Sequence, residues 1–211
     1  MLRTLLSCTA LLYAAYAAAA WVTHDFQAWT AEGARRLEVA RVPVPAPPVS
    51  LQGTGVPHDG LQEVLANGRD VTIVDFVYTH CETLCLSLGT VFQQMQATLQ
   101  QAPAGSAADR VKLLSISFDP ERDTPDVLAA YASRMGADPR TWRFARVPGT
   151  ADTRRLLDAF RVVVVPFGQG DFEHNAALLV VAPDGRLMRV FDIAQQQMAL
   201  DYAVDLAEGG R

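Results

Sequence analysis

Residues 71–101 read VTIVDFVYTHCETLCLSLGTVFQQMQATLQQ, and the change of pattern inside this stretch decides the fold. Residues 71–78 are rich in β-branched and aromatic types and come after the turn signal Asn67-Gly68, which predicts a buried strand. From residue 85 to 101 the apolar residues Leu86, Leu88, Val91, Phe92, Met95 and Leu99 recur at near-helical spacing. Cys81 therefore falls at the carboxyl end of a strand, where a helix starts. Open α/β sheets place their chemistry there, because the loops at that end converge above the sheet.

Working outward, residues 111–118 read as a second buried strand. Thr124-Pro125-Asp126 then opens a helix, with Thr as the cap, Pro at the first helical position and an acid facing the positive end of the dipole. A third strand is expected over 142–147, a helix over 151–160 and a short strand over 162–165. Strands over 176–182 and 187–191 are joined by the hairpin signal Pro183-Asp184-Gly185, and a helix over 195–206 closes the chain. Strands alternating with helices, ended by a hairpin, predict an α/β domain with a mixed sheet flanked by helices over 51–211. Residues 24–50 read as a spacer: a short helix over 29–39, then RVPVPAPPV, whose prolines favour extended polyproline geometry.

At 211 residues the chain has room for one well-packed domain and an appendage. Half of it is hydrophobic, 19% is charged and the net charge is −5, with no run of Lys or Arg. Disorder is excluded by that composition, and a nucleic-acid partner is disfavoured by the lack of a basic stripe. Residues 5–22 carry no charge, Arg3 precedes them and the next Lys or Arg is Arg35. The bias of basic residues keeps the N-terminus in the cytoplasm and exports the rest of the chain across the inner membrane, to the periplasmic side. Residues 1–23 are thus a signal anchor or, since Ala17–Ala20 offers A-x-A patterns, a cleavable signal peptide. Cys8 lies inside that segment as a bystander.

Two cysteines remain outside the membrane. An exported pair is no stapling framework for a fold of this size, so Cys81 and Cys85 point to redox chemistry, metal binding or both. In a C-x3-C motif at a helix start, the two sulfurs lie about 5–6 Å apart on one face. They can hold one metal or, with modest adjustment, close into a disulfide. The helix N-terminus favours the thiolate that either chemistry needs. Two thiolates are soft donors that suit Cu(I), with zinc as competitor, and a third ligand would be an imidazole or thioether.

The segments DFVYTHCETLC, SISFDPERDTPDVLAAYA and EHNAALLVVAPDG together resemble the Sco/SenC family over roughly residues 51–208. These are copper chaperones of thioredoxin-like fold that help assemble the dinuclear copper centre of cytochrome c oxidase. The resemblance implies copper ligands at Cys81, Cys85 and His174, and partners comprising subunit II of that oxidase or another copper protein, with an upstream copper donor or thiol reductant. His174 sits in FGQGDFEHNA, read as a glycine-containing loop before a buried strand. His80 points elsewhere if Cys81 faces the metal; His24 and His58 read as uninvolved, and Met95, Met135, Met188 and Met198 as core. Asp119, in the DPERDTP segment, reads as support for the cysteine loop. The same dithiol without His174 would serve a thiol–disulfide oxidoreductase, which reduces partner cysteines. Family members carry proline after each cysteine; here Glu82 and Leu86 stand in those places, so the loop is expected to be less stiffened.

Overall fold

The computed structural model describes residues 2–54, 56, 60–80, 84–168 and 171–209; for residues 54 and 84–87 only the backbone is described. Strand β3 (Val71–Val77) is buried at every position, which suits a central strand covered on both faces. It runs parallel to β4 (Val111–Ser117), from Val71 opposite Val111 to Val77 opposite Ser117. Strand β5 (Trp142–Arg146) continues the parallel set. On the other flank lie the antiparallel strands β8 (Leu178–Val181) and β9 (Arg186–Phe191), joined by the expected turn. Two short strands close the edges, β1 (Val44–Pro45) against β9 and β2 (Gln52–Thr54) against β5. The sheet order is β1-β9-β8-β3-β4-β5-β2.

Side chains alternate across the sheet and split the apolar interior in two. Val74, Phe76, Tyr78, Leu114 and Phe160 belong to one core, which helices α2 (Ala31–Arg41), α3 (Leu61–Leu65) and α6 (Thr150–Ala159) help to cover. Val71, Ile73, Leu113, Phe92 and Trp142 belong to the other, covered by α4 (Leu84–Gln100), α5 (Pro125–Arg134) and α7 (Gln196–Gly209). Thr124 caps α5 as its sequence predicts, its hydroxyl accepting from the Val127 N–H with Pro125 in the first turn. Thr124→Ala is expected to lower stability by about 1 kcal/mol, read as a shift in the denaturation midpoint.

The spacer expected over 24–50 is folded body from Ala31 onward. Val39, Ala46 and Val49 are core residues. The Arg35 guanidinium is buried and donates twice to the Phe160 carbonyl, at 3.2 and 2.9 Å, while pairing with Glu32. Pro45 stands opposite Arg186 at the sheet edge, where a residue without an N–H is tolerated. At the opposite edge a side chain at Gly53 would meet the Phe144 carbonyl at 2.0 Å, so only glycine lets β2 approach β5 so closely. Helix α1 (Leu2–Val22) has 21 residues, none of them buried. It is long and apolar enough to cross a membrane, spanning about 30 Å.

Candidate metal centre

The carboxyl ends of β3 and β4 organise the site. Beyond β3 the chain passes through Tyr78, Thr79 and His80; Cys81, Glu82 and Thr83 lie outside the described residues, and α4 then begins at Leu84. Cys85 is thus in the first turn of α4, as its sequence predicts, described by its backbone alone. His58 also lies outside the described residues.

Asp123 holds the start of that loop. Its side chain is fully buried, and its carboxyl oxygens accept from the Thr79 N–H at 3.1 Å, the Thr79 hydroxyl at 2.5 Å and the Ser117 hydroxyl at 2.5 Å. A buried carboxyl with this many donors is well satisfied. His80 faces largely outward, its Nδ1 3.8 Å from Asp123 Oδ1. Asp119 is buried too, but its carboxylate pairs with Arg122, whose guanidinium lies 5.3 Å from the centre of the Phe172 ring. Among the described residues, Asp123 holds the start of the loop at Thr79, while residues 81–83, which Asp119 is expected to support, lie outside the described residues. Both acids belong to one turn after β4, and only the turn's geometry tells which of them faces Thr79.

His174 is not in a loop. It ends β7 (Asp171–His174), which pairs with β6 (Val164–Phe167) in a separate two-stranded ribbon, Val164 opposite His174. Asn175 braces the ribbon's base by accepting from the Val163 N–H at 2.7 Å. Aromatic contacts tie the ribbon to the end of β3. The Tyr78 ring lies 5.2 Å from Phe118 and 5.3 Å from Phe172, and the Phe118 ring lies 5.1 Å from that of His174. Tyr78 also receives the Phe172 N–H, at 3.3 Å. The imidazole is therefore seated at the same end of the sheet as the cysteine segment, two ring contacts from the residue that opens it.

Both ring nitrogens of His174 are buried and, among the described residues, have no hydrogen-bond partner. Burial disfavours the imidazolium and brings the pKa down from 6.5 to about 4. The ring is neutral near pH 7, with a lone pair free on one nitrogen. Orphaned buried polar atoms are uncommon and costly in folded proteins, and a neutral imidazole is the form that ligates metals. A neutral imidazole nitrogen is a donor that copper accepts. Among the described residues no three His, Cys, Asp or Glu side chains cluster as a metal site; the expected sulfur donors are not among the side chains described.

Known proteins share this plan. The family model described as SCO1/SenC matches residues 62–205. A SCO1 protein homolog of Bacillus subtilis is 26% identical over 125 residues, 58% of this chain and 62% of that protein. The chain spans less than two thirds of the length of the curated relatives it matches. Among solved structures, copper-bound ScoI of Bradyrhizobium japonicum superposes with a TM-score of 0.59 at 26% identity, covering 77% of this chain and 98% of that one. Copper-bound yeast Sco1 gives 0.62 at 18% identity over 77% and 88% of the two chains, a likeness of fold. With the thioredoxin-like sheet, the cysteine segment at its carboxyl end and a match over most of the domain, the chain belongs to the SCO1/SenC family.

Proposed function

We propose that the protein is a membrane-tethered copper metallochaperone that takes Cu(I) as cargo on Cys81, Cys85 and His174 and passes it to a recipient copper protein. The recipient the family resemblance implies is the dinuclear copper site of cytochrome c oxidase subunit II. The observation that carries the reading is His174, whose ring is neutral and whose two ring nitrogens are buried and without a partner among the described residues, at the end of the sheet where the cysteine loop begins. Copper-bound relatives of the same fold support it. Helix α1 supports tethering, with the domain on the periplasmic side of the inner membrane. Two sulfurs and one nitrogen leave copper open to an incoming ligand, which handover requires.

Cu(I) titration of the reduced chain against a competing chelator tests this. One tightly held equivalent is expected, with an affinity loss of about a hundredfold in His174→Ala, about 2.8 kcal/mol at 1.4 kcal/mol per decade. Full affinity in that variant would leave a bare dithiol and favour the oxidoreductase. Since His174 stays neutral down to about pH 4, the imidazole should not limit copper retention between pH 7 and 5. An ordinary histidine would begin to release its lone pair to a proton near 6.5.

A further inference from the structure

The turn that leaves α1 is bent back onto that helix. His24, Asp25 and Phe26 have φ of 50°, 60° and 62°, the left-handed region that residues with a Cβ avoid. Three in succession reverse the chain. The Asp25 N–H donates to the Ala20 carbonyl at 2.7 Å, the Phe26 N–H to the Thr23 hydroxyl at 3.0 Å and the Ala28 N–H to the Thr23 carbonyl at 2.9 Å. The reversal brings the Phe26 ring to 5.4 Å from that of Tyr16 and the Trp29 ring to 5.9 Å from Phe26. Tyr16 lies well inside α1, about 9 Å below its last residue, Val22, at about 1.5 Å per residue. Phe26 thus stands beside the last turns of the apolar helix, with Trp29 against it.

The polar groups of the same turn go to the folded domain. His24 Nε2 lies 3.2 Å from Glu38 Oε1, and Arg41 Nη2 donates to Gln27 Oε1 at 3.2 Å. Both partners belong to α2, which is itself fixed by Arg35 at the Phe160 carbonyl and by Glu38 with Arg161. The turn is therefore a bracket that grips α1 through rings and α2 through polar contacts, with no free linker between them. Its rings nevertheless face outward: Trp29 is 75% exposed, and Trp21 at the end of α1 is 82% exposed. A strained backbone that only held aromatic rings in water would have nothing to offset it. Against a bilayer the offset exists, because an indole ring at the interface is dehydrated while its N–H stays wet.

We propose that Trp21, Phe26 and Trp29 form an aromatic collar seated in the lipid interface of the bilayer that α1 crosses, and that the bracket behind it holds the domain against the membrane surface in one orientation. The inference rests on the tethering part of the proposed function and needs no copper. It bears on the metal centre through α2. Glu32, in the first turn after Trp29, accepts from Asn175 Nδ2 at 3.2 Å, next to His174. Docking through the collar therefore keeps the base of the β6–β7 ribbon close to the lipid surface, the height at which a membrane-bound recipient can reach it.

The test reads depth in the full chain, reconstituted into phosphatidylcholine vesicles. Their acyl chains carry bromine, a contact quencher of indole fluorescence, either near the headgroup or near the bilayer centre. The protein has three tryptophans, and Trp142, buried in the sheet core, supplies the unquenched background. Trp21→Phe leaves Trp29 to report on the collar, and Trp29→Phe leaves Trp21 to report on the tether. Bromine near the headgroup is expected to quench both variants to a similar extent, and more than bromine at the centre does. Quenching of Trp21 without Trp29 would overturn the collar and leave the tether standing; quenching of neither would overturn both. Adding Phe26→Ser to Trp21→Phe removes the ring that meets Tyr16, so most of the Trp29 quenching should be lost. Undiminished quenching there would show that the folded-back turn does not place Trp29, and the collar would fall.

Discussion

Asp123→Ala is expected to lower stability by about 3–5 kcal/mol, the effect of stripping a buried carboxyl from the donors it satisfies. The Thr79 N–H, the Thr79 hydroxyl and the Ser117 hydroxyl all point at this one group, and none of its neighbours can replace it. Asp119, the nearest other acid in the segment, is engaged by Arg122. Asp123→Asn keeps one acceptor oxygen and should fall between the two. Urea denaturation reads the loss directly. Cu(I) affinity should also decline, since Thr79 anchors the segment that leads to Cys81. A loss under about 1 kcal/mol would mean that the loop's start is held by something else.

The second large effect is a pH dependence with an unusual sign. Asp75 has a folded pKa of about 7 against 3.8 for the free group, so between these values the folded state holds a proton that the unfolded state has released. Its contribution is greatest below pH 4 and is lost as pH rises to 7, on the order of 4 kcal/mol in all. His174 acts oppositely: its pKa is lowered to about 4, so its contribution is full above 6.5 and is lost as pH falls toward 4. Comparing Asp75→Asn with wild type at each pH isolates the first effect. The variant should gain steadily relative to wild type from pH 4 to 7. Above pH 7 it should be the more stable by roughly 1–3 kcal/mol, once the burial of an amide is discounted. A constant difference across that range would show that Asp75 does not titrate in the folded state.

Much of this architecture is legible in the residues alone. The central strands, the capped helix at Thr124 and the final hairpin all have strong local signals: buried β-branched runs, a Thr-Pro-Asp start and a Pro-Asp-Gly turn. The position of Cys85 in the first turn of a helix comes from spacing alone. Three features are hidden for physical reasons. Val44–Pro45 pairs at a sheet edge, yet a proline-rich edge strand and a free polyproline spacer are both extended and share one composition. Asp171–His174 is a four-residue strand with Asp171 and Glu173 exposed, too short and too polar for alternation to separate it from a loop. The charge on Asp75 is unreadable because a single acid within an apolar run carries no sign of which core it faces, or whether a partner awaits it there.

The edges of the main sheet have a consequence for recruitment. One ends in a two-residue strand containing proline, the other in a three-residue strand pressed against its neighbour through glycine. Neither offers an incoming polypeptide a usable row of backbone groups. The β6–β7 ribbon does have four-residue flanks, and Val165 and Phe167 on it project into solvent. Among the described residues, the open four-residue flanks that a polypeptide lending its own backbone needs are those of this ribbon, and one of its two strands ends at His174.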